Sequence, residues 1–518
     1  MPPGVQLLIP LWLYAAQAQA PPASAAEAGP ALQRAAILVQ QGRLDEADRQ
    51  AQIALTDPST KAGAYSVLGA IRYQQKRLSE SASLLQKAIQ LEPRLVGAHL
   101  NLAEVYSDQG KSAEAAAMFR KVLALDPSNA LARLALARDE ATKGRYAQSW
   151  SLLQPVVDQV RTVPDGLIVL ATDSVKLGHH EATTSFAGDW MRLADVPQAW
   201  SISFALALIQ GKAVQDGIDV LEHAKRTTPA TYELAFNLGS AYLVKGDSEK
   251  ALASYDEALT IKPDAVQALQ QAAATAEQRN ELERSLSYWI RLKKLQPDDA
   301  ATLHGFGRLC LKMDLLEDAE PALSKAASLE PDDPAYQYSL AAAKVGKREF
   351  EAARTVLERL VAAHPNEAQL HYALGSVLYL EGRLPDAAEH LQASVKLQPD
   401  QLAANYYLAL VARDQGNEAD AVDRLQTLLT RYPDHAPSCE ALGSLLMNAQ
   451  RYPEAETQLR NAVRLNPASV KANYQLGLLL ARMGKKDEAD RQLEKAKSLR
   501  KDDEANSRLQ LRLLEPEQ

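Results

Sequence analysis

The chain has 518 residues, which would suit roughly three or four ordinary domains or one architecture repeated along the whole length. It carries 57 Lys and Arg residues against 65 Asp and Glu residues, a formal net charge of -8, so it lacks the basic surplus that binding a nucleic-acid backbone requires. Two cysteines exclude a disulfide framework and a four-cysteine zinc site. Hydrophobic residues make up 47% but aromatic residues only 6%, which predicts a core of Ala and Leu between closely packed helices.

The N-terminal segment reads as a signal peptide covering residues 1–20. Residues 5–16 are almost wholly apolar, and the small residues Ala16 and Ala18 that follow suit a signal peptidase. No Lys or Arg precedes the apolar run, which is atypical. We therefore expect a periplasmic or secreted protein, with a cytoplasmic one as the alternative. Residues 21–27 are expected to form a flexible leader, and no later stretch is long and apolar enough to span a membrane after cleavage.

The rest of the chain is dominated by a period of 34 residues, which the prolines mark. Eight of them follow one another at this spacing: Pro229, Pro263, Pro297, Pro331, Pro365, Pro399, Pro433 and Pro467. A small residue recurs 24 positions before most of these prolines, as in Gly239, Gly307, Gly375 and Gly443, and a second recurs 12 positions before them, as in Ala251, Ala319, Ala387 and Ala455. Two small positions 12 apart predict a pair of antiparallel helices whose backbones approach closely at those residues.

The turn between the two helices of a unit needs a residue that accepts a positive φ. Candidates at the equivalent place are Gly110, Gly246, Gly382, Gly416 and Gly484, together with Asn280 and Asp314. Glycine has no Cβ and Asn or Asp tolerates the left-handed region, so these residues are predicted to end the first helix of each unit.

Residues 235–242, AFNLGSAY, followed by Ala251, Tyr255, Ala258 and Pro263, carry a family resemblance. The pattern is similar to the tetratricopeptide repeat, which pairs Leu-Gly and Tyr on a first helix with Ala, an aromatic residue and Ala on a second one. The resemblance implies an all-α fold, an α-α superhelix or solenoid of about fourteen helix-turn-helix repeats with a C-terminal capping helix. Pentatricopeptide repeats, which read RNA, are the nearest alternative, but the 34-residue period and the acidic charge balance count against them.

Phased on the prolines, the chain divides into four segments. Residues 28–129 hold three repeats, residues 130–197 two irregular ones, residues 198–503 nine regular ones, and residues 504–518 a capping helix and tail. Tryptophans are concentrated in and directly after this irregular segment, at positions 150, 190 and 200. It is either a hinge or docking site, or a place where tryptophans fill gaps between aberrant repeats.

The repeats leave no room for a catalytic domain, so we expect no enzyme, no cofactor and no metal site. His179-His180-Glu181 is the densest metal-like cluster, but adjacent helical residues point about 100° apart and cannot share one ion unaided. Cys310 and Cys439 lie four repeats apart, too far for a disulfide, and are expected to be buried filler.

The fifth position of the first helix, which points into the concave groove in proteins of the resembled family, is aromatic in several units. The candidate protein-binding residues are Phe236, His304, Tyr338, Tyr372, Tyr406 and Tyr474. Tyr offers a large apolar face and a hydroxyl, which suits an extended peptide or a partner helix. The alternative is that these rings pack against their own neighbours.

The resemblance implies a scaffold or adaptor that binds other proteins or peptides, with envelope or secretion-complex assembly as one setting. The carboxylate clamp with which some family members bind chaperone C-termini requires an Asn at the ninth position of the first helix, and none is present. A periplasmic chaperone for many clients and a targeting or regulatory subunit of a separate enzyme remain as alternatives. The oligomeric state is left open.

Overall fold

The computed structural model describes residues 28–504, and every regular element in that range is helical. The predicted signal peptide (1–20), the leader (21–27) and all but the first residue of the predicted capping segment (504–518) lie outside the described residues. The chain divides into two compact units, Met1–Pro263 and Asp264–Gln518. No helix among the described residues is long and apolar enough to cross a membrane.

The first unit holds fifteen described helices, with a short 3₁₀ turn (Gln154–Val156) between α8 and α9. They are α1 (Ala28–Gln40), α2 (Leu44–Ala54), α3 (Lys61–Gln74), α4 (Leu78–Leu91), α5 (Val96–Asp108), α6 (Ser112–Leu125), α7 (Ala130–Thr142), α8 (Tyr146–Leu153), α9 (Val157–Val160), α10 (Pro164–Leu177), α11 (His180–Trp190), α12 (Gln198–Gln210), α13 (Val214–Thr227), α14 (Tyr232–Lys245) and α15 (Ser248–Ile261).

The second unit continues the same alternation in its described part. Its helices are α16 (Val266–Gln278), α17 (Leu282–Leu295), α18 (Ala300–Lys312), α19 (Leu316–Leu329), α20 (Pro334–Gly346), α21 (Phe350–Ala363), α22 (Ala368–Leu380), α23 (Leu384–Leu397), α24 (Leu402–Asp414), α25 (Glu418–Arg431), α26 (Ala436–Asn448), α27 (Tyr452–Leu465), α28 (Val470–Arg482) and α29 (Lys486–Glu504).

Consecutive helices pack as hairpins joined by short turns, and each hairpin packs on the next one within its unit, as α3·α4 does on α5 and α22·α23 on α24. The described residues form fourteen such pairs, with the short α9 as an addition to the fourth. The all-α repeat architecture and its roughly fourteen units are confirmed.

The turns inside the hairpins have the backbone conformation that the sequence predicts. All seven predicted residues have positive φ: Gly110, Gly246, Gly382, Gly416, Gly484, Asn280 (59°) and Asp314 (60°). Lys76, Lys212, Arg348 and Gln450 reach the same conformation in other units, at φ between 61° and 65°. Because the left-handed region is strained for residues with a Cβ, packing of the two helices must impose this turn where glycine is missing.

The two small positions of each unit do lie at the closest approach of its helices. In the second repeat the Ser81 Oγ donates a hydrogen bond of 2.7 Å to the carbonyl of Gly69, and Ser285 does the same to Ala273 at 2.8 Å. One turn after the second small residue, a side chain of the second helix packs directly on the small residue of the first helix. A Cβ added at Gly375, for example, would lie 2.7 Å from the Cγ of Leu391. A glycine here admits the leucine side chain, so the small position is a packing requirement.

Replacing Gly375 with Ala tests this contact. We expect the Gly375→Ala chain to be less stable by about 1–2 kcal/mol, because the new methyl must displace Leu391. Gly188→Ala is the matched control: Gly188 is also helical, nothing lies within 4 Å of its added Cβ, and the change should be neutral or stabilising. Urea unfolding followed by circular dichroism measures both, and equal midpoints for the two variants would contradict the interpretation.

A proline interrupts the second helix of the first repeat in the irregular segment. Pro155 lacks the N–H that a second helix needs at this point, so the helix is interrupted by the 3₁₀ turn between α8 and α9. Trp190 is 1% exposed and stacks on Phe204 with ring centroids 4.1 Å apart. Trp190 therefore fills the space between α11 and α12, which favours gap filling over docking for this residue.

The same segment buries a carboxyl group that has no ionic partner among residues 28–504. Asp173 of α10 is fully buried, and neither of its oxygens nor the nearby Ser149 hydroxyl makes a hydrogen bond of good geometry. Burial raises the pKa of Asp173 to about 7, against an opposing effect of Ser149. Because the folded-state pKa lies above the ordinary value, the protonated acid stabilises the fold, and this stability is lost as the pH rises through the range from about 4 to 7.

Asp173→Asn should remove this dependence. We expect the amide variant to be more stable than the wild type at pH 8, by up to a few kcal/mol at about 1.4 kcal/mol per pKa unit, and to lose the advantage near pH 4. Thermal unfolding across this pH range measures the effect. Asp158→Asn, at an exposed position of α9, is the control and should show no such crossover. A constant difference between Asp173→Asn and wild type at all pH values would contradict the assignment.

Candidate functional site

First helices of neighbouring repeats lie side by side in a layer within each unit. In the first unit α1 contacts α3, α3 contacts α5, and α10 contacts α12; in the second, α18 contacts α20, α22 contacts α24, and α26 contacts α28. The side of this layer that carries the second, fifth, ninth and twelfth residues of the first helices is called the first-helix face below. All six predicted binding residues occupy the fifth position.

The six residues differ strongly in exposure. Tyr474 of α28 is 51% exposed, whereas Tyr372 of α22 is only 6% exposed. The other four, Phe236, His304, Tyr338 and Tyr406, are partly buried. Tyr372 therefore packs inside its unit and offers almost no surface to a partner, while Tyr474 is open to one.

Three of the partly buried residues have defined partners within their own units. Phe236 stacks on Tyr232 at a centroid distance of 5.7 Å. The His304 Nε2 lies 2.8 Å from the Ser339 hydroxyl, and burial lowers the pKa of the imidazole, which favours its neutral form. The Tyr338 hydroxyl accepts a hydrogen bond of 2.9 Å from Gln369, and burial raises its pKa to about 12.

Tyrosines from two neighbouring first helices meet in a cluster that sequence analysis found only in part. The ring of Tyr407 lies at centroid distances of 6.0 Å from Tyr372, 5.5 Å from Tyr379 and 5.9 Å from Tyr406, each in an edge-to-face arrangement. On its other side Tyr406 meets His435 edge-on at 5.3 Å. Edge-to-face contacts place the positive ring edge on the negative ring face, so the cluster is internally stabilised.

An ion pair adjoins the tyrosine cluster. The Arg413 Nε donates a 2.6 Å hydrogen bond to Asp414 Oδ1, and its Nη2 donates one of 3.2 Å to the Tyr379 hydroxyl. The Tyr379 hydroxyl donates to Asp414 Oδ2 at 2.7 Å. Burial and then this carboxylate raise the pKa of Tyr379 to about 12, so the phenol keeps its proton and acts as a donor.

The predicted binding residues do not include Tyr379, Tyr407 and Arg413, because the aromatic pattern in the sequence was defined at the fifth position of the first helix. Tyr379 and Arg413 both stand at the twelfth position of their helices, seven residues after Tyr372 and Tyr406. Residues seven apart lie on the same side of an α-helix, so scanning the sequence at this spacing would have found both. Tyr407, at the sixth position, has no equivalent signal.

Acidic side chains lie close together at one part of the first-helix face in the first unit. Glu104 of α5 lies among Asp108 of the same helix and Arg138 of α7, and the Arg138 guanidinium is 3.2 Å from Asp165 of α10. Burial raises the pKa of Glu104 to about 7, although Arg138 opposes the shift. One cation thus serves several carboxyl groups, which favours partial protonation of Glu104 near neutral pH.

The residues that could have carried chemistry are dispersed or inert. Within residues 28–504 no group of three or more His, Cys, Asp and Glu side chains is arranged to hold a metal ion. Cys310 and Cys439 are free and buried, and burial raises the pKa of the Cys310 thiol to about 12, far from a reactive thiolate. His179 is exposed and meets the edge of Trp150 at 5.0 Å.

These features define the chain as a helical-hairpin repeat solenoid whose first helices carry a tyrosine cluster in the second unit and a group of carboxyl side chains in the first. Sequence models described as tetratricopeptide repeat match residues 338–401, 382–436 and 440–502, residues 96–139, and residues 232–265. A further model described as TPR repeat matches residues 69–110. The chain belongs to the tetratricopeptide-repeat family, as the 34-residue pattern predicts.

Solved structures show low sequence identity to the chain. A tetratricopeptide repeat protein from Parabacteroides merdae is 17% identical over 48% of this chain and 98% of its own, with a TM-score of 0.40. The Cut9–Hcn1 hetero-tetramer of the APC/C has a chain 15% identical over 95% and 97%, with a TM-score of 0.40. YrrB, described as a TPR protein with an unusual peptide-binding site, is 21% identical over 36% and 97%, with a TM-score of 0.31. No curated protein sequence matches significantly.

Replacing two tyrosines at the same repeat position with Ala distinguishes a residue that stabilises the core from one that lies at the surface. We expect Tyr372→Ala to destabilise the protein by roughly 3–5 kcal/mol, because it empties a buried site beside Tyr407. Tyr474→Ala should change stability by no more than about 0.5 kcal/mol, since half of that side chain is already in water. Urea unfolding midpoints measure both; similar losses for the two variants would show that exposure does not distinguish their roles.

Proposed function

We propose that the chain is an exported, non-enzymatic scaffold that binds a partner protein or peptide in the concave groove lined by its first helices, in the assembly of an envelope or secretion complex. Tetratricopeptide repeats are protein-interaction modules, and the family is typically not enzymatic. The observation that carries the proposal is Tyr474. It is a large, half-exposed aromatic residue at the repeat position whose equivalents form the tyrosine cluster.

The neighbourhood of Tyr474 supports a role in recognition. At the fifth position of the preceding first helix stands Glu440, which pairs with Lys471 at 2.7 Å, one turn before Tyr474 on α28. An exposed aromatic ring beside a paired acid and base offers apolar area together with hydrogen-bonding groups of both signs. Tyr contributes such area at a low cost in side-chain entropy, because only two torsions are fixed on binding.

The experiment is affinity purification of the tagged full chain from its own host, with wild type beside Tyr474→Ala. Loss of one exposed aromatic anchor should weaken capture of a stoichiometric partner by about tenfold or more. Leu397→Ala is the matched control, because Leu397 is 42% exposed at the end of α23, a second helix of the same unit. Capture should survive in this control.

The outcomes separate the alternatives. Equal recovery of the partner by Tyr474→Ala and wild type would remove the first-helix face around α28 from the proposal. Recovery of many clients at low stoichiometry would favour a chaperone instead of a scaffold. Copurification of one enzyme whose activity depends on the chain would favour a targeting or regulatory subunit.

A further inference from the structure

We propose that a groove on the second-helix side of the second unit binds an acidic peptide segment with apolar side chains, contributed by a partner protein. The groove has a volume of about 590 Å³ and runs between α17 and α19, with α18 as its floor; it is called the α17–α19 groove. Its volume lies within the roughly 300–1,000 Å³ of typical ligand sites. The surface is separate from the first-helix face and does not depend on the function proposed for Tyr474.

The floor and walls of the groove are apolar. Leu303, Phe306 and Cys310 of α18 form the floor. All three are buried in the hydrophobic core of this part of the unit. His304 and Arg308, which alternate with them along α18, belong to the first-helix face, so the two surfaces use opposite sides of one helix. Ile290 on the α17 wall is 53% exposed, which leaves an aliphatic side chain in water at the rim.

Ile290 departs from the repeat pattern at this point. It stands seven residues before Pro297, and the equivalent residues of other units are all polar: Gln86, Arg120, Glu222, Asp256, Ser324, Glu358, Gln392, Gln426 and Arg460. Packing therefore does not require an apolar residue at this position, and Ile290 adds exposed aliphatic surface to the edge of the groove. Apolar side chains exposed at the edge of an apolar groove are characteristic of interaction surfaces.

Lys293 departs from the pattern in the opposite direction. It stands four residues before Pro297, where most units have an apolar residue, as in Ile89, Leu123, Leu259, Ala327, Val361, Val395, Leu429 and Val463. Its ammonium lies 4.3 Å from the centroid of Phe306 on the groove floor. The two other exceptions among the regular repeats, Lys225 and Lys497, are paired with Glu257 and Glu494. Among the described residues Lys293 has no carboxylate partner of this kind, and its charge stays available at the groove.

The rim of the groove is basic although the chain is acidic. Lys293, Lys294 and Lys325 line it, against a single lining carboxylate, Asp318. Lys325 is already paired with Asp298 at 2.5 Å. Lys293 and Lys294 thus give the groove a local positive charge on a protein whose net charge is -8.

The chemistry of the groove selects its occupant. Apolar side chains would occupy the floor over Phe306. Asp or Glu side chains would pair with Lys293 and Lys294, neither of which has a carboxylate partner in the part of the chain that the structure describes. Repulsion by Lys293 and Lys294 disfavours a basic peptide. The exposed residues at the rim allow a polypeptide to enter the groove from the side. The proposed occupant is therefore an acidic peptide with at least one large apolar residue.

The test is selection of a random-peptide library on the immobilised full chain, followed by fluorescence anisotropy with the enriched synthetic peptides. The test variant combines Ile290→Gln, the residue found at the equivalent positions 392 and 426, with Lys294→Glu. Both side chains are exposed, so the fold should be retained, and circular dichroism melting checks this. Lys396→Glu, at the position equivalent to Lys294 on α23, is the matched control.

We expect enriched peptides to combine Asp or Glu with Leu, Ile or Phe, and to bind the test variant at least about tenfold more weakly than wild type or the Lys396→Glu control. Their affinity should fall as the salt concentration rises. The proposal is overturned if no peptide is enriched, if the enriched peptides are not acidic, or if the test variant binds them as well as wild type. If instead the peptides lose affinity for the Tyr474→Ala variant, they bind the first-helix face, and the proposal is also overturned. Binding of dodecanoate in the groove without peptide binding would make it a fatty-acid site and also overturn the proposal.

Discussion

The close approach of the two helices within each hairpin is the constraint on which the rest of the structure depends. A leucine or tyrosine of the second helix packs directly on a glycine or alanine of the first. At Gly239, for example, a Cβ added to the glycine would lie only 2.6 Å from the ring of Tyr255. This contact fixes the distance between the paired helices. Because a similar contact recurs in the regular units, the hairpins have nearly equal shapes and can pack on one another in register.

Uniform packing frees the remaining positions to vary without loss of the fold. The turn residues illustrate this: Arg348 and Gln450 are held in a conformation that glycine prefers, and the hairpins on either side still form. In the same way, the fifth position of the first helix accepts Phe, His or Tyr, while buried neighbours such as Leu340 and Leu374 are kept. The repeats therefore differ from one another mainly at positions where packing does not require a particular residue.

The departures from the repeat pattern fall into two physical kinds. Pro155 and the buried Asp173 lie in the irregular segment, where the regular helical hydrogen bonding is interrupted and a carboxyl group is fully buried. Ile290 and Lys293 lie in a regular unit and leave the backbone unchanged, yet they alter the chemistry of its surface. The first kind affects stability and its dependence on pH, whereas the second concerns recognition.

The sequence alone determined the repeat unit, because a 34-residue period, paired small residues and turn residues with positive φ are local features that each helical hairpin must satisfy. It predicted Tyr372 and Tyr474 as equivalent, since both stand at the same position of the repeat. Only the tertiary structure separated them: Tyr407 of the next first helix covers Tyr372, and no comparable ring covers Tyr474 within the described residues. The meeting of Tyr379, Arg413 and Asp414, and the cavity between α17 and α19, were likewise decided by which helices pack side by side. A period fixes what each unit is, but the exposure of a side chain depends on its neighbours in the adjoining unit.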